Sequence, residues 1–274
     1  MDRDRICNYK GLTRREVLKY GLYGGLAVGL PMGLWLGGCA GNRDKIKPNV
    51  ILISLDTLRA DHLGCYGYKR STSPAIDSLA LQGILFEDVT APAPWTLPSH
   101  ASLLTGRYPS KNGVILQTNS LGEEIPTLAE VMRRHGFATS AIVNSLWLST
   151  KNGLHRGFDD FAYVVEHGAQ IKAAEITDKA VKWLSENGDK RFFLFLHYYD
   201  VHSDYIASPK YLKQYETPYK GFADGTTGQL LLHRRRLIEY SRADMEHMVN
   251  LYDAGILQTD DELLRLINVP FRDG

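Results

Sequence analysis

The sequence predicts an α/β fold in which a mostly parallel sheet is covered by helices on both faces. Two apolar runs, residues 49–55 and 191–197, have the length and composition of strands buried inside a parallel sheet. Segments in which apolar residues recur at helical spacing lie between the candidate strands, as at residues 169–187. Strands that alternate with helices along a chain are typical of parallel sheets with helices on both sides.

Caps, stops and periodicity assign the elements in chain order. Ser73 and Pro74 supply an N-cap and a first-turn proline, and Gly83 supplies a stop for the same helix. Thr127 and Glu130 have the spacing of a capping box. The predicted strands are 49–55, 84–89, 137–143 and 191–197, and the predicted helices are 74–82, 98–105, 127–135, 169–187 and 245–267.

The composition is that of an ordinary globular protein. The 274 residues include 44% hydrophobic and 23% charged residues, and the formal net charge is +1. The basic run Arg234-Arg235-Arg236 is interpreted as a solvated helix face. Because nucleic-acid-binding proteins usually present a basic patch or stripe, the sequence predicts no nucleic-acid partner.

The first 38 residues are predicted to be an export signal. Residues 13–19 resemble a twin-arginine signal, and an apolar, glycine-rich stretch follows at residues 20–38. Leu36-Gly37-Gly38-Cys39 resembles a bacterial lipobox, which predicts lipidation of Cys39, and residues 39–48 would form a polar tether. The alternative is a plain transmembrane helix, because the stretch is just long enough to span a bilayer. The first interpretation predicts an exported lipoprotein of the cell envelope, anchored to the membrane and facing the periplasm or the exterior.

Asp56 and Thr96 are the candidates for chemistry. Asp56 ends the first predicted strand, and ligands of open α/β sheets bind at that edge of the sheet. Thr96 would lie just before the helix that Pro98 starts, where backbone N–H groups favour an anion. A hard divalent cation bound by Asp56 and touching Thr96 would lower the pKa of the hydroxyl group and bind the anion under attack, which is nucleophilic catalysis on a phosphoryl or sulfuryl centre. The alternative role of Thr96 is ordinary helix capping.

Three segments resemble the sulfatase family of the alkaline phosphatase superfamily in order and spacing. They read NVILISLDTLRADHLGCYGY, TSPAIDSLALQGILFEDVTAPAPWTLPSHASLLTGRYP and FFLFLHYYDVH, and the resemblance extends from Asn49 to about Leu266. It implies an alkaline-phosphatase-like catalytic domain at residues 49–274. The domain is expected to be incomplete at the C-terminus, because the later family segment with the second pair of metal ligands has no counterpart before Gly274.

The resemblance implies roles for individual residues. Asp56 matches a metal-binding aspartate, and Thr96 stands at the position of the nucleophile. The family usually has Cys or Ser there, oxidised to formylglycine, so no formylglycine is expected at Thr96. His100 replaces the arginine that steadies formylglycine, and both His100 and His202 are expected to contact an anionic ester substrate. The alternative for His202 is a surface histidine that follows a strand.

Other positions qualify this assignment. Thr57 stands in the place of a second metal-binding aspartate, which would leave the cation one carboxylate fewer. The expected cation is Ca2+, with Mg2+, Mn2+ and Zn2+ as alternatives. Arg59 and Asp61 are interpreted as a structural ion pair. Asp260 and Asp261 are interpreted as solvated positions on a helix and not as replacement ligands.

These expectations define three functional hypotheses. The first is a sulfatase-family hydrolase that acts on sulfate esters by metal-assisted nucleophilic attack. The second is a phosphoesterase or phosphotransferase with a threonine nucleophile, which Thr96 favours. The third is a non-catalytic envelope lipoprotein in which a truncated sulfatase-like fold binds an anionic ligand, which Thr57 and His100 favour.

Overall fold

A parallel sheet forms the centre of the described domain. The computed structural model describes residues 48–164 and 173–270. Within these ranges the sheet has four parallel strands in the order β1-β4-β2-β3. The strands are β1 (Val50–Leu55), β2 (Ala138–Val143), β3 (Asp160–Tyr163) and β4 (Phe192–Tyr198). The predicted α/β class with a parallel sheet is confirmed.

Helices connect and cover the strands. The α-helices of the described residues are α1 (Pro74–Gln82), α2 (Thr96–Thr105), α3 (Pro109–Asn112), α4 (Leu128–Arg134), α5 (Ala173–Asn187), α6 (Pro209–Tyr215), α7 (Thr227–Arg234) and α8 (Arg242–Ile267). The helix predicted at 169–187 is confirmed from Ala173 onward, and its residues 169–172 lie outside the described residues. The short helices α3 and α6 were not predicted, and for α7 the sequence indicated only a helical character of the basic run at residues 234–236.

Two capping boxes define helix starts. The Thr127 side chain accepts a hydrogen bond from the backbone N–H of Glu130, and the Glu130 carboxylate accepts one from the N–H of Thr127, as predicted for α4. Ser241 and Asp244 form the same arrangement before α8. This second box was not recognised in the sequence, so α8 begins earlier than predicted.

Successive side chains of β4 point to opposite faces of the sheet, so the strand contributes to a hydrophobic core on each face. Phe193 and Phe195 are buried on the face that packs against α2 and α4. Phe192, Leu194 and Leu196 point to the opposite face and pack against α5 and the end of α8. Burying each of these side chains contributes about 1.5–3 kcal/mol relative to leaving it exposed. The strand is therefore buried on both sides, as its continuous apolar composition predicted.

The strand predicted at residues 84–89 is wrong. No strand is present there, and the side chains of Ile84 and Phe86 are 84% and 68% exposed. Apolar residues form a strand only where a neighbouring strand pairs with their backbone groups, and no described strand pairs with this segment. The short strand β3 was missed for the opposite reason, because four residues are too few to show an alternating pattern.

Two predictions concern charged residues at the surface: the ion pair of Arg59 with Asp61 and the basic run at residues 234–236. Arg59 and Asp61 form an ion pair at 2.6 Å with both side chains exposed. Solvent screens such an exposed pair, so it contributes little to stability. The basic run at residues 234–236 is exposed, as predicted, but it does not form a helix face: α7 ends at Arg234, Arg235 is the C-cap, and Arg236 has a φ of 59°.

Asp260 is buried, so the prediction of a solvated position is wrong. It is 1% exposed, and its carboxylate accepts hydrogen bonds from the backbone N–H groups of Ala75 and Ile76 at 2.7 and 2.9 Å. These residues lie in the first turn of α1, whose N-cap residue Ser73 makes no side-chain capping bond. Asp260 therefore caps α1 from a helix that is distant in the sequence.

Asp260→Ala is expected to lower the free energy of unfolding by about 2 kcal/mol, because two N–H groups in the first turn of α1 lose their acceptor. The matched control is Asp261→Ala at the neighbouring, partly exposed position, where the carboxylate pairs with Lys210 at 2.9 Å. Because solvent screens this pair, the loss of unfolding free energy in the control should be clearly smaller than in Asp260→Ala. Equilibrium unfolding in urea measures both losses, and equal losses would contradict the capping role.

The membrane predictions concern the N-terminal residues. The predicted export signal and the lipidation site Cys39 lie outside the described residues. Among residues 48–164 and 173–270, no helix combines the length and the apolar character needed to cross a bilayer.

Candidate active site

The carboxyl ends of β1 and β4 meet the N-terminus of α2. Ser54 of β1 and His197 of β4 are register partners in the sheet. Asp56 follows Ser54 at the spacing that turns both side chains to one face of the sheet, which is the face covered by α2. Thr96 and His100 have the i, i+4 spacing that places them on one side of α2. The fold therefore brings these five side chains together.

Thr96 is the first residue of α2, not the residue before the helix as predicted. The N-cap is Trp95, and Pro98 lies inside the first turn. Proline is accepted there because the N–H groups of a first turn have no partner within the helix. The Thr96 hydroxyl donates a hydrogen bond to Oδ2 of Asp56 at 3.0 Å. The two candidates for chemistry are thus in direct contact.

Asp56 supplies the negative charge of this site. It is 8% exposed, and Nε2 of His197 lies 3.2 Å from the same oxygen that accepts the Thr96 hydroxyl. Burial raises the pKa of the Asp56 carboxyl, but the hydrogen bond and charge of His197, helped by His100 and Thr96, outweigh that effect. The pKa therefore lies below its ordinary value, and the carboxylate is ionised at neutral pH.

His197 is a candidate functional residue that was not predicted from the sequence. It is fully buried at the end of β4, and its Nδ1 atom has no hydrogen-bond partner in the described part of the chain. A polar residue that ends an apolar strand was the available signal, because ligands of such sheets bind at the carboxyl edge. His197 thus joins Asp56 as a possible metal ligand.

His100 is a neutral histidine inside the site. Its Nδ1 lies 2.7 Å from the carbonyl oxygen of Thr96, which can only accept, so Nδ1 carries the proton. Nε2 then accepts a hydrogen bond from the Ser54 hydroxyl at 2.8 Å. Burial, together with the neighbouring His197, lowers the pKa of His100 to about 4. Both ring nitrogens have protein partners, and the contact of His100 with a substrate anion stays a prediction.

Asp56, His100 and His197 form a group that could hold a metal ion. All three are buried, and one ligand atom from each lies within 4.8 Å of the others. A carboxylate and two imidazoles are ligand types that bind divalent metals. Because His100 is neutral at pH 7, it has no proton to release before it binds. The residues present therefore fit a divalent cation.

Thr57 and His202 lie on the loops that follow β1 and β4. The Thr57 hydroxyl is 2.8 Å from the carbonyl oxygen of Asp56 and 3.2 Å from that of Val201, so it bonds to the backbone and joins the two loops. The half-buried His202 stacks on Tyr199 with ring centroids 4.2 Å apart. His202 does not belong to the buried metal-ligand group.

Comparison with solved structures places the chain among α/β proteins of the alkaline-phosphatase-like fold, which confirms the predicted architecture. A phosphonate monoester hydrolase of Agrobacterium radiobacter matches with a TM-score of 0.65 at 20% identity, over 81% of this chain and 59% of that one. The chain belongs to the sulfatase family, because the family model described as Sulfatase matches residues 48–269.

Two curated relatives show how much of a sulfatase this chain covers. Human arylsulfatase A is 40% identical over 119 residues, which are 41% of this chain and 23% of that protein. The N-acetylglucosamine-6-O-sulfatase of Bacteroides thetaiotaomicron is 26% identical over 205 residues, which are 67% of this chain and 36% of that protein. The chain therefore spans well under half of the length of these relatives.

Proposed function

We propose that this chain carries the nucleophile and the described part of the cation site of a hydrolase that acts on sulfate esters. The observation that supports the proposal is the 3.0 Å hydrogen bond from Thr96 to Asp56, within the buried group that includes His100 and His197. The relatives described above are an arylsulfatase and a sugar sulfatase. Sulfate monoesters of aryl or sugar hydroxyl groups are therefore the substrate class that we propose.

In the proposed reaction, the hydroxyl oxygen of Thr96 attacks the sulfur atom of the ester. A bond forms between this oxygen and sulfur while the bond from sulfur to the leaving oxygen breaks, and the leaving oxygen takes a proton from solvent. The Thr96 proton leaves to solvent, which balances the proton that the leaving oxygen takes up, and Asp56 stays ionised. Water then attacks the sulfur atom of the threonine sulfate, which releases sulfate and restores the hydroxyl group. Threonine performs this attack without conversion to formylglycine.

Asp56, His100 and His197 are proposed to hold the cation, whose positive charge would lower the pKa of the hydroxyl group and stabilise the sulfuryl oxygens. As a ligand, Nε2 of His100 would give up the hydrogen bond from Ser54. Two imidazoles favour Zn2+ over the Ca2+ expected from the family resemblance, because Ca2+ takes about 6–8 oxygen ligands. We therefore propose that Zn2+ binds the described group more tightly than Ca2+.

His202 is proposed to contact the substrate anion. Its loop is joined to the turn after Asp56 through the contact between Thr57 and Val201. Nδ1 of His202 lies 3.0 Å from both the carbonyl and the hydroxyl oxygen of Ser203. Across residues 48–164 and 173–270, Nε2 has no hydrogen-bond partner, so this nitrogen is available to a sulfuryl oxygen.

A phosphoesterase or phosphotransferase is the second candidate function. The threonine hydroxyl at position 96 favours it, because hydroxyl nucleophiles form covalent phosphoryl intermediates by the same kind of attack. The structural relative from Agrobacterium radiobacter is a phosphonate monoester hydrolase. A lipoprotein that binds an anion without turnover is the third candidate.

Turnover of a chromogenic aryl sulfate and of the matching aryl phosphate by the purified chain tests the proposal. Separate reactions contain Zn2+, Mn2+ or Ca2+, and we expect faster release of the phenol from the sulfate and loss of release on chelation. Faster release from the phosphate would establish the second candidate function instead. No release from either ester would overturn the proposed activity, and a tightly bound cation would also argue against the third candidate.

Export and lipidation are proposed from the sequence pattern of the N-terminus. The twin-arginine pattern at residues 13–19 and the lipobox that ends at Cys39 support a membrane-anchored protein of the cell envelope. Labelling of cells with a radioactive fatty acid should mark the protein, and Cys39→Ala should remove the label. Persistence of the label in that variant would contradict this site of attachment.

A further inference from the structure

Thr57 has an unusual backbone conformation directly after Asp56. Its φ is 55°, in the left-handed region that β-branched residues rarely occupy. The backbone of Asp56 is held to the sheet on its N-terminal side, because its N–H donates to the carbonyl oxygen of Tyr198 at 2.9 Å. The direction of the Asp56 side chain therefore depends on what holds the turn at Thr57.

A single hydroxyl group bridges this turn. Tyr252, on α8, donates to the carbonyl oxygen of Thr57 at 2.8 Å and accepts the backbone N–H of Arg59 at 2.9 Å. One side-chain oxygen thus satisfies both polar groups that flank the turn. Burial raises the pKa of Tyr252 to about 12, so the phenol keeps its proton and acts as donor and acceptor at neutral pH.

Tyr252 is itself firmly held. It is 8% exposed, and its ring makes edge contacts with His62 and Tyr205 at centroid distances of 5.0 and 5.4 Å. The next residue, Asp253, is fully buried and accepts hydrogen bonds from His62 and Arg70, each at 2.6 Å. These contacts fasten α8 to the loop that follows β1.

We propose that Tyr252 is a positioning residue for the candidate cation site. By bridging the left-handed turn at Thr57, its hydroxyl group keeps the carboxylate of Asp56 directed at Thr96 and His197. The inference rests on the proposed function, because it takes Asp56 as a cation ligand. Removing groups that orient a metal ligand typically weakens metal binding by about 10–100-fold.

Tyr252→Phe removes the bridging oxygen and retains the ring. We expect the affinity of the purified chain for Zn2+, measured by calorimetric titration, to fall by about 10-fold. Thr57→Gly places at the turn a residue that adopts the left-handed conformation readily. In a chain that carries Thr57→Gly, the further change Tyr252→Phe should therefore alter the affinity by less than about twofold. An effect of Tyr252→Phe that disappears when residue 57 is Gly is the signature of a positioning role.

Tyr205→Phe is the matched control. The ring of Tyr205 touches the ring of Tyr252, and the Tyr205 hydroxyl has no hydrogen-bond partner among residues 48–164 and 173–270. The affinity of the Tyr205→Phe variant for Zn2+ should therefore equal that of the parent chain. If Tyr252 served stability alone, Tyr252→Phe would lower the free energy of unfolding in urea without lowering the affinity for Zn2+. Alternatively, Tyr252→Phe would lower the affinity for Zn2+ by the same factor whether residue 57 is Thr or Gly. Either result would overturn the inference.

The failure of the inference is distinguishable from the failure of the proposed function. A parent chain that binds no Zn2+, or an Asp56→Asn variant that binds it as tightly as the parent, would overturn both. Binding that requires Asp56 and is unaffected by Tyr252→Phe would overturn the positioning role alone.

Discussion

Asp56→Asn is expected to abolish stoichiometric binding of a divalent cation. Asp56 is the carboxylate of the buried group that includes His100 and His197, and an amide of the same shape carries no negative charge for the cation. We expect the affinity for Zn2+ to fall by more than about 100-fold, since removing even the groups that merely orient a ligand costs about 10–100-fold. Calorimetric titration of the purified variant with Zn2+, Mn2+ and Ca2+ measures the effect.

Asp61→Asn is the matched control for this change. Asp61 lies in the loop that follows Asp56, but its carboxylate is exposed and pairs with Arg59 at 2.6 Å. Its removal subtracts the same charge from the chain without touching the buried group, so the affinity should stay within about twofold of the parent. Equal losses in the two variants would show that net charge, and not ligation by Asp56, governs cation binding.

Thr96→Ala is expected to lower kcat for the ester that the chain hydrolyses by about 1000-fold or more, because the attacking oxygen is removed. Binding of the cation should persist, since the ligand group of Asp56, His100 and His197 is unchanged. Thr96→Ser restores a hydroxyl group at the start of α2 and should recover part of the turnover. Steady-state rates, with the affinity for Zn2+ measured in parallel, separate the loss of the nucleophile from the loss of the cation.

Thr105→Ala controls for the general effect of removing a threonine hydroxyl from α2. Thr105 ends the same helix, and its hydroxyl donates to the carbonyl oxygen of Ala101 at 2.6 Å. This variant should keep the parent value of kcat. Turnover by Thr96→Ala at the parent rate would remove Thr96 from the mechanism and leave it an ordinary residue of the first helical turn.

The sequence was most informative where local pattern decides the structure. The apolar runs that became β1 and β4 were recognisable because strands buried on both faces have continuous apolar composition. The polar residue at the end of β1, Asp56, followed from the rule that ligands bind at the carboxyl edge of such sheets. Helix-start chemistry and the family resemblance identified Thr96, although the helix begins at Thr96 itself, two residues before the predicted start at Pro98.

Contacts between distant segments could not be predicted in the same way. His197 reaches Asp56 only through the parallel register of β1 and β4, which pairs Ser54 with His197. Asp260 likewise has a helical pattern around it that gives no sign of α1, whose N-terminus it caps. In both cases a charged or polar side chain is buried because tertiary structure supplies its partner, and local periodicity carries no information about that partner.

In the proposed site, Asp56, His100 and His197 hold a divalent cation beside the Thr96 hydroxyl. Anomalous X-ray diffraction from crystals of the chain grown with Zn2+ tests this arrangement most directly. We predict a zinc peak at ligand distance, about 2.0–2.2 Å, from an oxygen of Asp56 and a nitrogen of at least one of the two histidines. A crystal in which zinc binds elsewhere, or in which the three side chains keep only their contacts with one another, would contradict the claim.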